Sequence, residues 1–471
     1  MSFNSFGISR RREILALVLT CVLVLTTLSL SSFPTRSLSI PIAWSAPVTP
    51  TLETIVLPAA LEIHAELDPL ELLAQLYEEE RTLILTGYDQ AATEALVRSP
   101  PGALNPDFDV YISRLETFVD TWFNGSDYHL PLTSALSRLV TAFPPPVEHE
   151  RFEKTLYTFD KGGAEGVPGE FEWWKTRLGD RDWDIKVGDD VALEEWFGEV
   201  TGQSEGQDGA ALWREMWDGL GRPVLKSDLL RYLIMLIKGG MYTDSDTAPL
   251  SDPNLWGTHP HILTPPSLTV LQKAMQQLDP SDPHRSPSDH ESKLTINPTP
   301  DSARGINNRH VSLVISVEYD IDHPRQDPRS AYTRDLQIVQ WTFMAKPFHP
   351  VFLDVLERAT DEIMTRRTQG ENTVNWQSVL DVTGPGPFTD AVLRYLLVQY
   401  GITPQDLIGM EDGALIGDVL ILPLHAFGSW LGAEEYWNAD DPSTRCVAHG
   451  FRGRWKADSD FQRRGRRRWL I

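Results

Sequence analysis

Two aspartates, Asp244 and Asp246, stand one residue apart in the stretch GGMYTDSDTAPL. If the chain from Thr243 to Asp246 is extended, alternate side chains share a face, so both carboxylates point the same way. Such a pair suits a hard divalent cation, Mn²⁺ or Mg²⁺, that also binds the oxygens of a diphosphate. The cation would offset the charge that develops on a departing nucleotide diphosphate. Solvated acidic turns carry the same spacing, so the pair alone leaves both interpretations open.

The segment before the acidic pair predicts a helix over residues 227–238. Ser227 is a good N-cap, leucines and isoleucines recur along one stripe, and a Gly-Gly pair ends the helix. Asp228 and Arg231 are three residues apart in its first turn and therefore share a face. They form either a surface ion pair at the helix start or a polar clamp on sugar hydroxyls beside the cation.

The surrounding elements predict an α/β fold. The run RFEKTLYTFDK indicates a short strand, residues 183–187 a second one, and a helix opens at Asp189 or Asp190. A further strand covers residues 241–243, HVSLVISVEYD is a strong strand signal, and a helix follows around residues 350–366. This alternation favours a sandwich with a largely parallel sheet, whose ligands bind beyond the carboxyl ends of the strands.

Composition bounds the class of protein. The chain has 471 residues, of which 41% are hydrophobic and 15 are tryptophan, enough for a large packed core. Its formal net charge of −24 argues against a nucleic-acid partner, which needs a basic face. The local exception, RRGRRRW near the C-terminus, is interpreted as a solvated tail or a docking strip. The two cysteines, Cys21 and Cys446, predict no disulfide framework.

The N-terminus carries a membrane signal. Three arginines at positions 10–12 precede an uncharged stretch over residues 14–33, which is long enough to cross a bilayer as a helix. The basic cluster favours a cytoplasmic N-terminus with the rest of the chain translocated. A cleaved signal peptide is the alternative, although no clean small-x-small site follows closely. A glycosylation sequon at Asn124 is compatible with a luminal location.

The chain is predicted to divide at composition changes. Helical patterns within residues 34–150 are compatible with stem helices or with an N-terminal cap on the main domain. Residues 251–310, rich in Pro, Ser, His and Asp, are predicted to be a mobile insertion. The predicted parts are a cytosolic tail (1–13), a transmembrane signal-anchor (14–33), a luminal stem or helical region (34–150), a catalytic domain (151–460) and a basic tail (461–471).

The stretch KSDLLRYLIMLIKGGMYTDSDTAPL resembles the signature of glycosyltransferase family 32, in which an (A/S)DLxRY helix leads through Gly-Gly-x-Tyr to Asp-x-Asp. Later blocks occur in the family's order, namely SVEYD, RDLQIVQWTFMAKPFHPVF, TGPGPFTDAV, GDVLILPLHAFG and HGFRGRWK. They are similar to the blocks of fungal Golgi α-1,6-mannosyltransferases that initiate outer-chain mannan on N-glycans. The resemblance covers about residues 151–456.

The resemblance implies a GT-A fold with a Rossmann-like mixed sheet and flanking helices, a nucleotide-sugar donor, Mn²⁺ or Mg²⁺, and retention of the anomeric configuration. Asp244 and Asp246 match the pair that contacts metal and nucleotide. Asp228 and Arg231 match contacts to the donor sugar, and Tyr242 matches the aromatic residue before the motif.

The TGPGPFTDAV block matches a segment that the family places near the acceptor end of the cleft. Thr383, Gly384 and Asp390 are its matching site residues. TGPGP is either a tight turn that brings backbone amides close to a ligand or a plain helix start with Thr389 as its cap.

Two blocks depart from the family's pattern. In related retaining enzymes a histidine six residues before a lysine completes the metal shell, and that lysine meets the diphosphate. Counting back from Lys456, the spacing lands on Gly450 rather than His449, so either His449 takes the position or a water fills it. EKTLYTFDK is a weak version of the family's first strand, which leaves the identity of the nucleotide base open.

The resemblance implies a single-pass type II Golgi membrane protein whose luminal domain transfers mannose from GDP-mannose to a mannose-bearing N-glycan, through an α-1,6 linkage. Its expected partners are a nucleotide sugar, a glycan acceptor, the membrane through one helix, and a Golgi glycosyltransferase complex, with no nucleic acid. Mannosylation of an inositol-phosphate sphingolipid, or use of another nucleotide sugar, is an alternative. A non-catalytic subunit of a Golgi mannosyltransferase complex is a second alternative.

Overall fold

The structure is a computed structural model that describes residues 79, 81–141, 149, 151–179, 181–202, 208–257, 261–262, 311–323, 332–370, 376–430 and 445–453. The predicted membrane segment, Lys456 and the basic tail lie outside these residues. Within the described residues, no helix is both long and apolar enough to cross a membrane. The chain divides into two compact units, Met1–Ile84 with Thr264–Glu291 and Leu85–Leu263 with Ser292–Ile471, and every element below belongs to the second.

The strands are short and mostly buried. In chain order they are β1 (Thr155–Phe159), β2 (Asp184–Gly188), β3 (Gly240–Thr243), β4 (Thr247–Pro249), β5 (His261–Ile262), β6 (Leu313–Asp320), β7 (Leu336–Ile338), β8 (Thr342–Ala345), β9 (Ala414–Ile416), β10 (Val419–Leu422), β11 (Ser429–Trp430) and β12 (Val447–His449).

The helices flank these strands. They are α1 (Gln90–Val97), α2 (Phe108–Trp122), α3 (His129–Thr141), α4 (Gly163–Gly166), α5 (Glu172–Gly179), α6 (Asp190–Thr201), α7 (Asp208–Asp218), α8 (Pro223–Ile237), α9 (Pro350–Thr368), α10 (Trp376–Val382), α11 (Pro385–Tyr400) and α12 (Pro404–Leu407), with 3₁₀ turns at Gly169–Phe171 and Pro253–Leu255.

One large sheet of mixed direction forms the centre of the fold. Its order is β2-β1-β3-β8-β6-β10-β9-β5, with β7 paired to β6. β8 runs antiparallel to both β3 and β6, and β9 runs antiparallel to β10. The prediction of a largely parallel sheet is therefore wrong, because connections such as the two residues between β9 and β10 permit only an antiparallel hairpin. The mixed α/β architecture fits the GT-A type that the resemblance implies.

The pairings bring several strand ends to one edge. β1 is parallel to β3, and β6 is parallel to β10. Because β8 is antiparallel to both β3 and β6, those two strands also run in the same direction. The carboxyl ends of β1, β3, β6 and β10 therefore meet at one edge of the sheet, the usual location of ligands in α/β proteins.

Helix α8 leads into the start of β3, and it begins earlier than the sequence predicts. Pro223 occupies its first turn, where a missing N–H costs nothing, so the predicted N-cap Ser227 lies inside the helix. Asp228 accordingly lies in its second turn and Arg231 in its third, and both are buried. Of the two alternatives for this pair, the surface ion pair is wrong because both side chains are buried. Apolar residues cover most of the helix surface, which packs against α6 and α9.

The N-terminal helices pack onto this fold. α2 lies against α7 and α9. The Ala103 carbonyl accepts hydrogen bonds from Arg358 Nη2 at 2.8 Å and from Arg394 Nη1 at 2.9 Å. Of the two alternatives for this region, a cap on the main domain is the one that these contacts fit.

The start of the predicted mobile insertion also belongs to the fold. Trp256 is fully buried, with its ring centroid 5.0 Å from that of Phe427. β5, at residues 261–262, pairs in parallel with β9. The remaining residues of the predicted insertion, 258–260 and 263–310, lie outside the described part of the chain.

The TGPGP turn leads into α11. Pro385 occupies the first turn of that helix, and Gly384 stands at the N-cap position. Thr389 is therefore not a cap, and its Oγ1 instead accepts a hydrogen bond from the Ile338 N–H at 3.0 Å.

Gly240 is the residue that lets the chain turn from α8 into β3. Its φ is +92°, and a Cβ there would lie 2.5 Å from the Thr155 carbonyl oxygen. We expect Gly240→Ala to lower the free energy of unfolding by about 3 kcal/mol or more, because strain and a backbone clash add. Gly102→Ala is the matched control, since Gly102 has φ +82° with nothing within 4 Å. Its loss should be ~1 kcal/mol. Urea unfolding of the purified variants measures both, and equal losses would contradict the clash.

Candidate active site

The two aspartates lie in a tight turn between β3 and β4. The extended conformation expected for residues 243–246 is wrong, because the chain reverses at Ser245. Trp341 O accepts a hydrogen bond from the Asp244 N–H at 2.9 Å, and the Asp244 carbonyl accepts one from Thr247 Oγ1 at 2.7 Å. Ser245 Oγ donates to Asp160 Oδ2, beyond the end of β1, at 2.9 Å. These bonds fix the turn at the sheet edge.

His449 completes a group of three potential metal ligands. β12 pairs antiparallel with β4, which places His449 opposite Thr247. His449 Nε2 lies 3.1 Å from Asp246 Oδ1, and the Gly450 N–H donates to the Asp246 carbonyl at 2.7 Å. One ligand atom from each of Asp244, Asp246 and His449 lies within 4.8 Å of the other two. The sequence left open whether His449 or a water completes the metal shell. The geometry fits His449 as the third ligand.

The environment treats the two carboxylates differently. Burial disfavours the charged form of Asp246, but hydrogen bonds from His449 and the Arg452 N–H hold its pKa below the usual value. Burial raises the pKa of Asp244, an effect that Arg231 opposes and the Asp246 charge reinforces. A divalent cation between the carboxylates would relieve this repulsion.

The donor set fits Mn²⁺ or Mg²⁺ together with a diphosphate. Carboxylate oxygens suit both ions, and an imidazole nitrogen favours a transition metal such as Mn²⁺. Asp244, Asp246 and His449 would hold the ion. The His449 ring is fixed by aromatic contacts, with centroids 4.1 Å from both Trp341 and Phe451.

A second polar group lies beside the acidic pair. Arg231 Nη2 is 2.9 Å from Asp228 Oδ1 and 3.5 Å from Asp244 Oδ1. The guanidinium carbon lies 4.6 Å from the Tyr242 ring centroid, and the Tyr242 hydroxyl donates to Asp244 Oδ1 at 2.9 Å. The predicted residues Asp228, Arg231, Tyr242 and Asp244 are thus brought into one connected group.

The TGPGP turn also contacts this group. Thr383 Oγ1 donates to Asp228 Oδ2 at 2.8 Å. The Tyr232 hydroxyl donates to the carbonyls of Thr383 at 2.8 Å and Gly384 at 3.3 Å. Thr383 is therefore in direct contact with the group, and Gly384 is held near it through Tyr232.

The structure does not bring Asp390 to the other predicted residues. Arg334 binds its carboxylate through two nitrogens at 2.9 and 2.7 Å, and Ser99 Oγ donates to it at 2.6 Å. Burial opposes ionisation of Asp390, but these partners keep its pKa below the usual value. With 1% of its surface exposed, Asp390 is part of a buried ion pair.

Several residues at the site were missed from the sequence. Gln340 Nε2 donates to Asp228 at 3.1 Å, and the Gln340 carbonyl accepts from Arg231 Nη1 at 3.1 Å. Trp341, next along the chain, contacts both Asp244 and His449. Asp160 holds Ser245. The Gln-Trp pair stands inside a block that the resemblance singled out, but nothing in its spacing indicates these long-range contacts.

Comparisons with known proteins agree with this site. The family model described as "Glycosyltransferase sugar-binding region containing DXD motif" matches residues 202–263, which include the acidic turn. A relative from Schizosaccharomyces pombe, "Initiation-specific alpha-1,6-mannosyltransferase", is 33% identical over 237 residues, 50% of this chain and 48% of its own. The chain thus matches about half the length of this relative.

Other relatives share the glycosyltransferase name. A Candida albicans protein with the same name is 26% identical over 364 residues, 70% of this chain and 79% of its own. The "Putative glycosyltransferase HOC1" of Saccharomyces cerevisiae is 26% identical over 222 residues, 45% of this chain and 44% of its own. Among solved structures, "PaToxG Glycosyltransferase" covers 64% of this chain and 79% of its own at 12% identity, with a TM-score of 0.28, too low to support a shared fold.

The acidic turn and the family match are those of a glycosyltransferase sugar-binding region with an Asp-x-Asp motif, which is the class of protein that this chain resembles. Within that class, the predicted resemblance to glycosyltransferase family 32 and to the fungal initiation-specific α-1,6-mannosyltransferases is confirmed.

His449 offers the sharpest test of the metal group. We expect His449→Ala to raise the dissociation constant for Mn²⁺ by about tenfold or more, because one ligand nitrogen is lost. Electron paramagnetic resonance of free Mn²⁺ during titration of the purified protein measures this constant directly. His129→Ala is the control, since His129 pairs with the exposed Asp120 on another part of the surface. An unchanged constant in His449→Ala would show that His449 only packs against Trp341.

Proposed function

We propose that this protein is a retaining mannosyltransferase that uses GDP-mannose and extends a mannose-bearing N-glycan through an α-1,6 linkage. The observation that carries the proposal is the convergence of Asp244, Asp246 and His449 beside the buried pair Asp228 and Arg231. The names of the Schizosaccharomyces pombe and Candida albicans relatives support mannose as the transferred sugar and α-1,6 as the linkage.

The geometry suggests how the chain would assist transfer. The bond from the sugar's anomeric carbon to the phosphate oxygen breaks, and a bond to the acceptor oxygen forms on the same face. The departing phosphate oxygen takes the acceptor proton, so no enzymic nucleophile is needed. Mn²⁺ or Mg²⁺, when bound, would neutralise charge on the diphosphate.

The chain's own contribution is orientation and charge. Arg231 is held by Asp228, Asp244 and Gln340, so its positive charge is fixed before a donor binds. Asp228 is fixed in turn by Gln340 and Thr383 and holds Arg231 in position. Such preorganisation lowers the barrier because little rearrangement is needed during the reaction.

The proposed location is the Golgi lumen, behind a single N-terminal anchor. The uncharged stretch at 14–33 and the arginines at 10–12 support this arrangement. A non-catalytic subunit is the alternative from another class. The intact group of Asp228, Arg231, Asp244 and Asp246 favours an active enzyme over that alternative. Mannosylation of an inositol-phosphate sphingolipid remains the alternative acceptor chemistry.

The proposed activity is tested with GDP-mannose and a mannose-bearing oligosaccharide. We expect Mn²⁺-dependent transfer, and Asp246→Asn should reduce its rate on the order of a hundredfold or more while the protein stays folded, because a ligand charge is lost. Asp361→Asn, at an exposed position of α9, should leave the rate unchanged. Turnover of UDP-sugars in place of GDP-mannose would contradict the proposed donor, and no turnover of any nucleotide sugar would favour the non-catalytic alternative.

The proposed topology has its own test. In intact microsomes, the domain that contains Asn124 should resist added protease, because the membrane encloses it. Detergent should abolish this protection. Digestion of that domain without detergent would contradict a luminal location.

A further inference from the structure

The carboxylates of the site described so far are assigned to the donor and to the cation. Asp390, the carboxylate that the resemblance places near the acceptor, is committed to Arg334 and Ser99 and buried. An acceptor sugar carries several hydroxyl groups, and carboxylates bind such donors well. Another carboxylate at the same edge of the sheet is therefore of interest.

Glu318 lies at that edge. It stands near the carboxyl end of β6, which runs in the same direction as β3 and ends at the same edge of the sheet, with β8 between the two strands. Glu318 is only partly buried, whereas the preceding residues of β6 are buried. The polar side chain is thus presented at the sheet edge where ligands of α/β proteins bind.

Two neutral groups hold the Glu318 carboxylate. Trp341 Nε1 donates to Oε1 at 3.3 Å, and Gln337 Nε2 donates to Oε2 at 2.8 Å. Gln337 is itself fixed, since its Oε1 accepts from the Thr333 N–H at 2.9 Å. These two donors orient the carboxylate. Its partial exposure makes it accessible to a ligand.

Trp341 connects Glu318 to the metal group. The ring whose N–H reaches Glu318 also stacks on His449, with centroids 4.1 Å apart. The Trp341 carbonyl accepts from the Asp244 N–H at 2.9 Å. Glu318 is therefore connected through a single residue, Trp341, to His449 and Asp244 of the proposed metal group.

We propose that Glu318 binds hydroxyl groups of the acceptor sugar and orients it toward the donor. This inference rests on the proposed function, because it requires transfer to a sugar. It assigns Glu318 to substrate binding, with no role as a nucleophile and no role in holding the cation. The chemistry that recognises the acceptor is a carboxylate accepting hydrogen bonds from sugar hydroxyls in a partly buried position, where such bonds are stronger than in water.

The test compares Glu318→Gln and Glu318→Ala in the full-length protein. Gln keeps an oxygen that can accept from Trp341 but loses the charge, and Ala loses both. We expect the acceptor KM to rise about tenfold or more in Glu318→Ala and less in Glu318→Gln, because hydrogen bonds to a charged group are lost or weakened. Glu411→Gln, at an exposed position, is the control and should leave the acceptor KM unchanged.

Two further measurements separate acceptor binding from a structural role. Hydrolysis of GDP-mannose without acceptor, and the Mn²⁺ dissociation constant measured by electron paramagnetic resonance, should both stay within about twofold of the wild-type values, since neither involves the acceptor. If Glu318 only held Trp341 in place, its loss would also disturb His449, which stacks on Trp341. The hydrolysis rate and the Mn²⁺ dissociation constant would then change together with the transfer rate, and the inference would be overturned.

The remaining outcomes distinguish this inference from the proposed function. If the wild-type protein transfers mannose and both Glu318 variants keep the acceptor KM, the inference is wrong while the proposed function stands. If the wild-type protein neither hydrolyses GDP-mannose nor transfers mannose, the proposed function is wrong and the inference is overturned with it.

Discussion

A connector of two residues, Gln340 and Trp341, holds the two halves of the site together. Gln340 binds Asp228 through its side chain and Arg231 through its carbonyl, on the side assigned to the donor sugar. Trp341 binds Asp244 through its carbonyl and stacks on His449, on the side assigned to the cation. Adjacent residues in one rigid segment therefore set the distance between the sugar contacts and the metal ligands. Displacement of this segment would disturb both halves at once.

The connector operates among buried charges, which are costly unless they are paired. Arg231 is 5% exposed and Asp228 4%. Removal of one partner would leave the other charge buried and unpaired, a larger loss than the net value of the pair. The buried pair therefore contributes a fixed geometry to the site more than it contributes to the free energy of unfolding. Asp244 and Asp246 add repulsion at the same place, which the His449 imidazole and Arg231 partly offset and a bound cation would offset further.

The sequence predicted local features of this arrangement well and long-range ones poorly. The acidic pair, the Asp228 and Arg231 spacing and the strong strand at β6 follow from residue type and period. The predicted start of α8 at Ser227 is wrong, because the helix already begins at Pro223. A proline in the first turn is a stronger start signal than a serine, and Ser227 lies inside the helix. Residues 243–246 are not extended, because two hydrogen bonds impose a turn. Ser245 donates to the distant Asp160, and Thr247 donates to the carbonyl of the nearby Asp244.

Contacts between distant segments explain the other differences. The resemblance left open whether His449 or a water completes the metal shell, because no local pattern encodes the pairing of β12 with β4 that brings His449 beside Asp246. Asp390 looks like a site residue in sequence because its surroundings resemble the family's block, yet Arg334, which lies 56 residues earlier, binds it in the interior. Glu318 lies inside the SVEYD block, but the sequence does not show its contact with Trp341, which depends on where β6 and β8 lie in the sheet.

The central claim is that Asp244, Asp246 and His449 bind a cation that is shared with the diphosphate of a nucleotide. Calorimetric titration of GDP into the purified protein at increasing Mn²⁺ concentration tests it most directly, without dependence on turnover or acceptor. The account predicts that Mn²⁺ raises the affinity for GDP and that GDP raises the affinity for Mn²⁺ by the same factor, as linkage requires. A GDP affinity that is independent of Mn²⁺ would contradict the account.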